Sequence, residues 1–133
     1  MRYLVDTCTW ILVFKGQDIA IADRLRGSKR EQIAVCSVVR AELLHGARKY
    51  KRRDRRVEVV EKALSACESF PFDDAAAEVY AAIRHSLELR GERIGPNDLM
   101  IASIALARDL TLVTTDSHFH RVGGLRVEDW RTP

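Results

Sequence analysis

Short apolar runs alternate along the chain with longer stretches in which apolar residues recur every three or four positions. YLVD, residues 3–6, reads as a short buried strand, and TWILVFKG after it as a short helix punctuated by Gly16. DIAIADRLRG has the pattern of a second helix ending at Gly27. IAVCSVV is apolar and rich in β-branched residues, so its first part is expected as a buried strand. Helical character resumes in RAELLHGARKY and continues beyond a basic stretch through VEVVEKALSAC. FPF is too short and proline-broken for more than a minor edge strand. DDAAAEVYAAIRHSLELRG carries alanine-rich helical periodicity, acidic residues in its first turn and Gly91 as its stop. GPND prepares another helix, with Asn97 as the expected N-cap, before the apolar run DLMIASIALA. LTLVTT reads as a further buried strand and LRVEDW as the last.

Strands separated by helices require crossover connections, and therefore a mostly parallel sheet covered on both faces. The expectation is an α/β fold: one three-layer α/β/α domain over residues 1–133 around a central sheet of about five strands. No linker, internal repeat or low-complexity segment interrupts it beyond the basic stretch.

Composition narrows the class. The 133 residues are 47% hydrophobic and 31% charged, as in ordinary globular proteins. No apolar run approaches the roughly 20 residues of a membrane-spanning helix, and the chain starts on a strand-like segment without a signal-peptide pattern. Its three cysteines, Cys8, Cys36 and Cys67, lack zinc-type spacing. Cys36 lies in an apolar run, so small, buried, reduced thiols in a cytoplasmic protein are expected. The net charge of +3 is too modest to indicate nucleic-acid binding, but its distribution says more. RKYKRRDRR gathers Arg48, Lys49, Lys51, Arg52, Arg53, Arg55 and Arg56, the electrostatic footprint of a phosphate-binding rim. A solvated helix end is the plainer alternative for that stretch.

Four acidic residues complete the picture. Asp6 closes the first strand, Glu42 lies about a helical turn past IAVCSVV, Asp98 opens DLMIASIALA and Asp116 follows LTLVTT. Each alone has an ordinary explanation: a cap or Asx turn, a solvated helix residue, a favourable helix dipole, a turn residue. Together they matter, because ligands of open parallel sheets bind outside the carboxyl ends of the strands. Carboxylates converging there at roughly 4 Å cost on the order of 4 kcal/mol per ionised pair at an effective dielectric near 20. Such a cluster asks for a cation. Elsewhere the chemistry is thin. His118 and His120 are spaced i, i+2 with no further His or Cys nearby, which suits a surface turn better than a metal. Trp10 and Trp130 sit in apolar contexts and are expected to pack rather than stack on bases. Neither a G-x-G-x-x-G nor a Walker-type loop is present.

The patterns VDT at Asp6, SVVRAELLHG around Glu42, IGPNDLMIASIALA at Asp98 and LVTTDSHF at Asp116 resemble those of PIN-domain nucleases in order, spacing and context. The resemblance covers essentially the entire chain, and GLRVEDW is similar to the last strand of VapC toxins, the small PIN proteins of bacterial and archaeal toxin–antitoxin pairs. One departure is visible: family members often carry Asn before the last acid, where this chain has Thr115.

The resemblance implies that Asp6, Glu42, Asp98 and Asp116 bind Mg²⁺, with Mn²⁺ as a substitute, supported by the hydroxyls of Thr7, Ser37 and Thr114. Asp6 and Asp98 are expected as the central ligands, Glu42 as acting mainly through water, and Asp116 as completing a second or shared site; one ion or two stays open. The implied activity is endonucleolytic hydrolysis of RNA phosphodiester bonds by the toxin of a type II pair. Arg48, Lys49, Lys51, Arg52 and Arg53 would hold the RNA, with structured RNA such as tRNA as the substrate class the resemblance implies. A VapB-like antitoxin and a homodimer are the implied partners, with the apolar surfaces of TWILVF and DIAIADRL available to an amphipathic antitoxin segment. The alternative is a PIN fold that binds RNA or protein without cleaving. A phospho-acceptor receiver lacks its acidic pair and lysine here, and a haloacid-dehalogenase phosphatase lacks the second Asp after Asp6-Thr7-Cys8.

Overall fold

The computed structural model describes residues 1–132. Five strands, β1 (Tyr3–Val5), β2 (Ile33–Cys36), β3 (Glu68–Phe70), β4 (Thr111–Val113) and β5 (Val127–Glu128), form one sheet in the order β3-β2-β1-β4-β5. Every pairing is parallel. Six helices accompany it: α1 (Thr7–Phe14), α2 (Ile19–Gly27), α3 (Ser37–Ala47), α4 (Arg53–Ser65), α5 (Asp74–Leu89) and α6 (Pro96–Ala107). None is long and apolar enough to cross a membrane among the described residues.

The strands are short, but their apolar runs are continuous because the sheet is covered on both faces. Leu4, Val5, Ala34, Val35, Cys36, Leu112 and Val113 are all fully buried. Burial pushes the Cys36 thiol up to about 11, which makes it an inert packing residue. Cys8 and Cys67 are only half-buried, so the expectation of buried thiols holds for Cys36 alone. Trp10 and Trp130 pack as expected, each 5% exposed.

The helix α6 shows no amphipathic stripe because both sides are enclosed, with Leu99, Ile101, Ala102, Ile104 and Ala105 all buried. Its one buried hydroxyl, on Ser103, donates to the Leu99 carbonyl at 2.6 Å. Across the sheet order, β1 has β2 on one side and β4 on the other. The chain leaves β1 where the strand order reverses, the topological position at which open α/β sheets bind ligands.

Element boundaries depart from the sequence expectation in instructive places. The helix α3 starts at Ser37, so the second half of IAVCSVV is already helical. The edge strand β3 is Glu68–Phe70, just before Pro71 rather than across it. Asn97 is not the N-cap of α6. Gly95 takes that position and Pro96 opens the helix, where its missing N–H costs nothing. At the other end of α5, Gly91 does stop the helix, at φ +68°. Its N–H reaches the Glu88 carbonyl at 3.1 Å and that of Glu92 reaches Leu87 at 2.9 Å, the paired bonds of a Schellman ending. Gly91→Ala is expected to lower stability by about 1 kcal/mol, measured as a fall in the urea midpoint at unchanged m-value.

Candidate active site

Asp6 is the N-cap of α1 as well as the residue that closes β1. Its Oδ1 accepts the Thr7 N–H at 2.8 Å, so the capping role and the site role fall on the same carboxylate. Oδ2 accepts the Thr114 hydroxyl at 2.8 Å and faces the Cys8 thiol at 3.5 Å. The side chain is almost fully buried. Burial raises its pKa, the donors from Thr114, Thr7 and Cys8 pull it back, and the Glu42 charge raises it again.

Glu42 arrives from α3, and the Thr7 hydroxyl donates to its Oε1 at 2.7 Å. Asp116 follows β4 and caps a short 3-10 helix, Ser117–Arg121, through a 2.9 Å bond from the His118 N–H. The Asp116 N–H in turn donates to the Thr114 hydroxyl at 3.1 Å. Thr114 therefore ties Asp6 to Asp116, as Thr7 ties Asp6 to Glu42.

Asp98 comes not from a strand end but from the first turn of α6. No hydrogen bond or ion pair to its carboxylate is found among the described residues. Its pKa is pushed up to about 6, first by burial and then by the charges of Asp6, Asp116 and Glu42, with His118 acting in the opposite sense. The four acids thus share one electrostatic neighbourhood. Among the described residues no Lys or Arg lies within ion-pair distance of Asp6, Glu42, Asp98 or Asp116; only His118 Nδ1, 3.4 Å from Asp116, approaches one of them.

Ser37 opens α3, but its hydroxyl accepts the Phe72 N–H at 3.3 Å, which fastens the segment after β3 to α3. Two residues that the sequence reading named but did not assign to the site stand beside it. Cys8 lies 3.4 Å from Thr114 Oγ1, and His118 stands against Asp116. Both follow from simple offsets: Cys8 sits two residues past Asp6 on a helix turning back over it, and His118 two residues past a capping Asp.

The donor set fits a hard divalent cation. It is all carboxylate and hydroxyl oxygen, its negative charges have no lysine or arginine within ion-pair distance among the described residues, and Asp6 Oδ1, with the Thr7 N–H as its one donor there, keeps a lone pair free. Among the described residues no three acidic, His or Cys side chains close into a ready-made cage. Mg²⁺ does not require one, since it keeps several waters and takes one or two protein carboxylates.

The basic stretch lies on the turn between α3 and α4 and in the first turn of α4, with all its cations exposed. Arg56 stacks over the Tyr50 ring at 4.5 Å. A cavity of about 160 Å³ is lined by Glu42, Leu43, Tyr50 and Arg56, so the Arg56 end of this stretch shares a recess with one of the four acids.

Residues 3–125 match the PIN domain family model. The chain belongs to the PIN-domain family. It is 34% identical over 131 residues to the tRNA(fMet)-specific endonuclease VapC of Shigella flexneri, covering 98% of both chains. It is 38% identical over 132 residues to the ribonuclease VapC2 of Rickettsia felis, again with 98% of each covered. Its fold superposes on a chain of the DNA-bound VapBC of Salmonella typhimurium with a TM-score of 0.91 at 34% identity, covering 98% of both. Within the PIN family this is a VapC-type ribonuclease, and divalent-metal dependence comes with that membership.

Proposed function

We propose that the chain is a Mg²⁺-dependent endoribonuclease, with Mn²⁺ able to substitute, and the toxin of a type II toxin–antitoxin pair, built as one PIN domain over residues 1–133. The observation that carries the metal site is the cluster of Asp6, Glu42, Asp98 and Asp116, with no lysine or arginine within ion-pair distance among the described residues. A bound divalent ion would supply a water of lowered pKa and polarise the scissile phosphoryl group. The protein's own part is positional. Thr114 fixes Asp6 and Asp116 in relation to each other, Thr7 orients Glu42, and Asp98 is kept free of competing hydrogen bonds. Ser37 supports the same edge indirectly, through the backbone of Phe72.

The direct test is incubation of purified chain, free of any antitoxin, with total RNA and Mg²⁺ or Mn²⁺, beside an EDTA control and Asp6→Asn. Discrete fragments that vanish in both controls are expected. A folded protein that cuts nothing with either metal would overturn the reading in favour of a binding module.

Arg48, Lys49, Lys51, Arg52 and Arg53 are assigned to the RNA backbone because they are exposed and flank Tyr50 and Arg56, which share a cavity with Glu42. Each phosphate neutralised on a single strand contributes about 0.7 to the slope of log K against log salt. Arg52→Ala and Arg53→Ala are each expected to reduce that slope by up to about 0.7, read from RNA binding in EDTA across a salt series. Slopes unchanged in both would remove the block from the interface.

The Shigella relative is named for tRNA(fMet), which supports structured RNA of the tRNA class as substrate here. The VapBC neighbours support a VapB-type antitoxin. Ile11 and Ile19 are exposed on α1 and α2, and a cleft lined by Trp10, Val13, Ala22 and Leu25 of these helices continues to Ala63 and Cys67 at the end of α4. An amphipathic antitoxin segment would cover that surface, and a cation it carried into the carboxylates would compete with the metal. A homodimer of the toxin completes the proposal, read by light scattering.

A further inference from the structure

A second cavity opens beside the carboxylates, away from the basic block. It measures about 580 Å³, within the range of small-ligand sites, and lies between the C-terminal half of α5, the 91–95 loop and the start of α6. Tyr80, Arg84 and Leu87 contribute from one face of α5, while Ile94 and Leu99 extend the apolar lining. His118 closes the end that meets the acidic cluster, since its Nδ1 is 3.4 Å from Asp116.

The lining is charge-balanced, Arg84 and Arg93 against Glu88 and Glu92, but both glutamates are taken up by arginines. Glu88 is engaged by Arg84 at 3.8 Å, and Glu92 by Arg90 at 3.2 Å and Arg121 at 3.8 Å. Arg93 forms no ion pair among the described residues; only its backbone carbonyl is used, by Arg121 Nη1 at 2.6 Å. The loop that presents Arg93 is braced by that bond and by the Schellman ending at Gly91, so the wall is pre-formed rather than ordered on binding. A pre-formed recess with an apolar lining, a tyrosine and an uncommitted guanidinium, next to a phosphodiester-cleaving centre, has the chemistry of a base and its phosphate. Unpaired RNA bases are recognised by lodging on aromatic and apolar side chains.

We propose that this cavity is a nucleotide subsite, which takes the base beside the scissile phosphate against Tyr80, Ile94 and Leu99 while Arg93 and Arg84 engage the adjoining phosphate. It rests on the endoribonuclease reading and adds to it where cut-site selection resides. A single-stranded stretch of substrate would bridge the two rims, with backbone on the 48–56 block and one splayed base in the recess.

The test uses the full chain in EDTA with a short fluorescein-labelled single-stranded RNA of mixed sequence carrying 4-thiouridine. Irradiation is expected to crosslink the RNA within residues 80–99, located by mass spectrometry. Ile94→Trp, which fills the recess, and the pair Arg84→Ala with Arg93→Ala should each weaken binding about 10-fold and abolish that crosslink. Crosslinks confined to the 48–56 block, with binding in both variants within about 2-fold of the parent, would overturn the subsite. So would a loss of binding that tracks a change of oligomeric state by light scattering, which would assign the recess to a second copy of the chain. The nuclease reading fails separately: a parent that cuts no RNA yet crosslinks in the recess keeps the subsite and loses the activity. A parent that cuts RNA without that crosslink does the reverse.

Discussion

Asp98→Asn is expected to slow RNA cleavage by at least about 100-fold while making the metal-free protein more stable at pH 7.5. The two effects share one cause. Asp98 is half-buried among Asp6, Asp116 and Glu42, and its pKa is raised to about 6. An unfolded Asp titrates near 3.9. Between those values the folded chain holds a proton that the unfolded chain has lost, so stability falls as pH rises from about 4 to about 6 and stays low above that. Two pKa units correspond to about 3 kcal/mol, which solvent around this half-exposed group reduces to roughly 1–2 kcal/mol. Asparagine removes the charge and with it the cost. Among the described residues no hydrogen bond to the Asp98 carboxylate is lost, and the helix-dipole attraction given up at the start of α6, about 0.3–1 kcal/mol, is smaller than the gain. The same exchange removes an anionic metal ligand, and metal charge stabilises a phosphoryl transition state by several kcal/mol, hence the large loss of rate. Thermal melts in EDTA at pH 5 and pH 7.5, beside cleavage assays in Mg²⁺, check both halves. The parent should melt higher at pH 5 with respect to this group, and the variant should lose that difference. Adding Mg²⁺ should raise the parent's melting temperature more at pH 7.5 than at pH 5, because ligation requires the deprotonated carboxylate. A variant that cleaves like the parent, or that melts below it in EDTA at pH 7.5, would remove Asp98 from the centre of the site.

Much of this arrangement was legible in the residues. Continuous apolar runs mark parallel strands buried on both faces, and YLV, IAVC and TLV all form such strands. Acids at the ends of β1 and β4 follow from that pattern, and the Asp6 and Asp116 caps show that an ordinary turn role and a site role coincide. Asp98 was grouped by position with the strand-end acids because it opens DLMIASIALA, but it is the tertiary packing of α6, not a strand end, that brings it in. Ser37 was grouped with the supporting hydroxyls, but a hydroxyl at a helix start can turn to either side, and only packing decides that it meets Phe72. The 48–56 block stood out because its charges are contiguous. Arg84, Arg90, Arg93 and Arg121 did not, since they are dispersed over a helix, a loop and a 3-10 turn that only the fold assembles. Asn97 was misplaced as a cap because side-chain preference pointed to it, while the φ that Pro96 imposes shifts the helix start one residue earlier.

Thr114→Val should show how far the site depends on orientation rather than on ligand count. The Thr114 hydroxyl is buried, donates to Asp6 Oδ2 at 2.8 Å and accepts the Asp116 N–H at 3.1 Å. Valine keeps the shape and removes both bonds, so Asp6 and Asp116 lose their common anchor together. Groups that orient metal ligands are typically worth 10–100-fold in metal affinity or activity, and a loss of about that size is expected here. Leaving a buried carboxylate short of a donor and a backbone N–H unpaired should also cost about 1–3 kcal/mol of stability. The sign with pH follows from Asp6. Losing a donor to the charged form raises its folded pKa further, so the destabilisation should be larger at pH 7 than at pH 4. Thr114→Ser, which restores the hydroxyl, should recover most of the rate, whereas Ser37→Ala should leave the rate near the parent's because its hydroxyl serves Phe72. Metal titrations by calorimetry, cleavage rates at saturating RNA and urea melts at both pH values separate these effects. Parental metal affinity and rate in Thr114→Val would mean that the carboxylates are held by packing alone, and the hydroxyl bridge between the strands would then be incidental to catalysis.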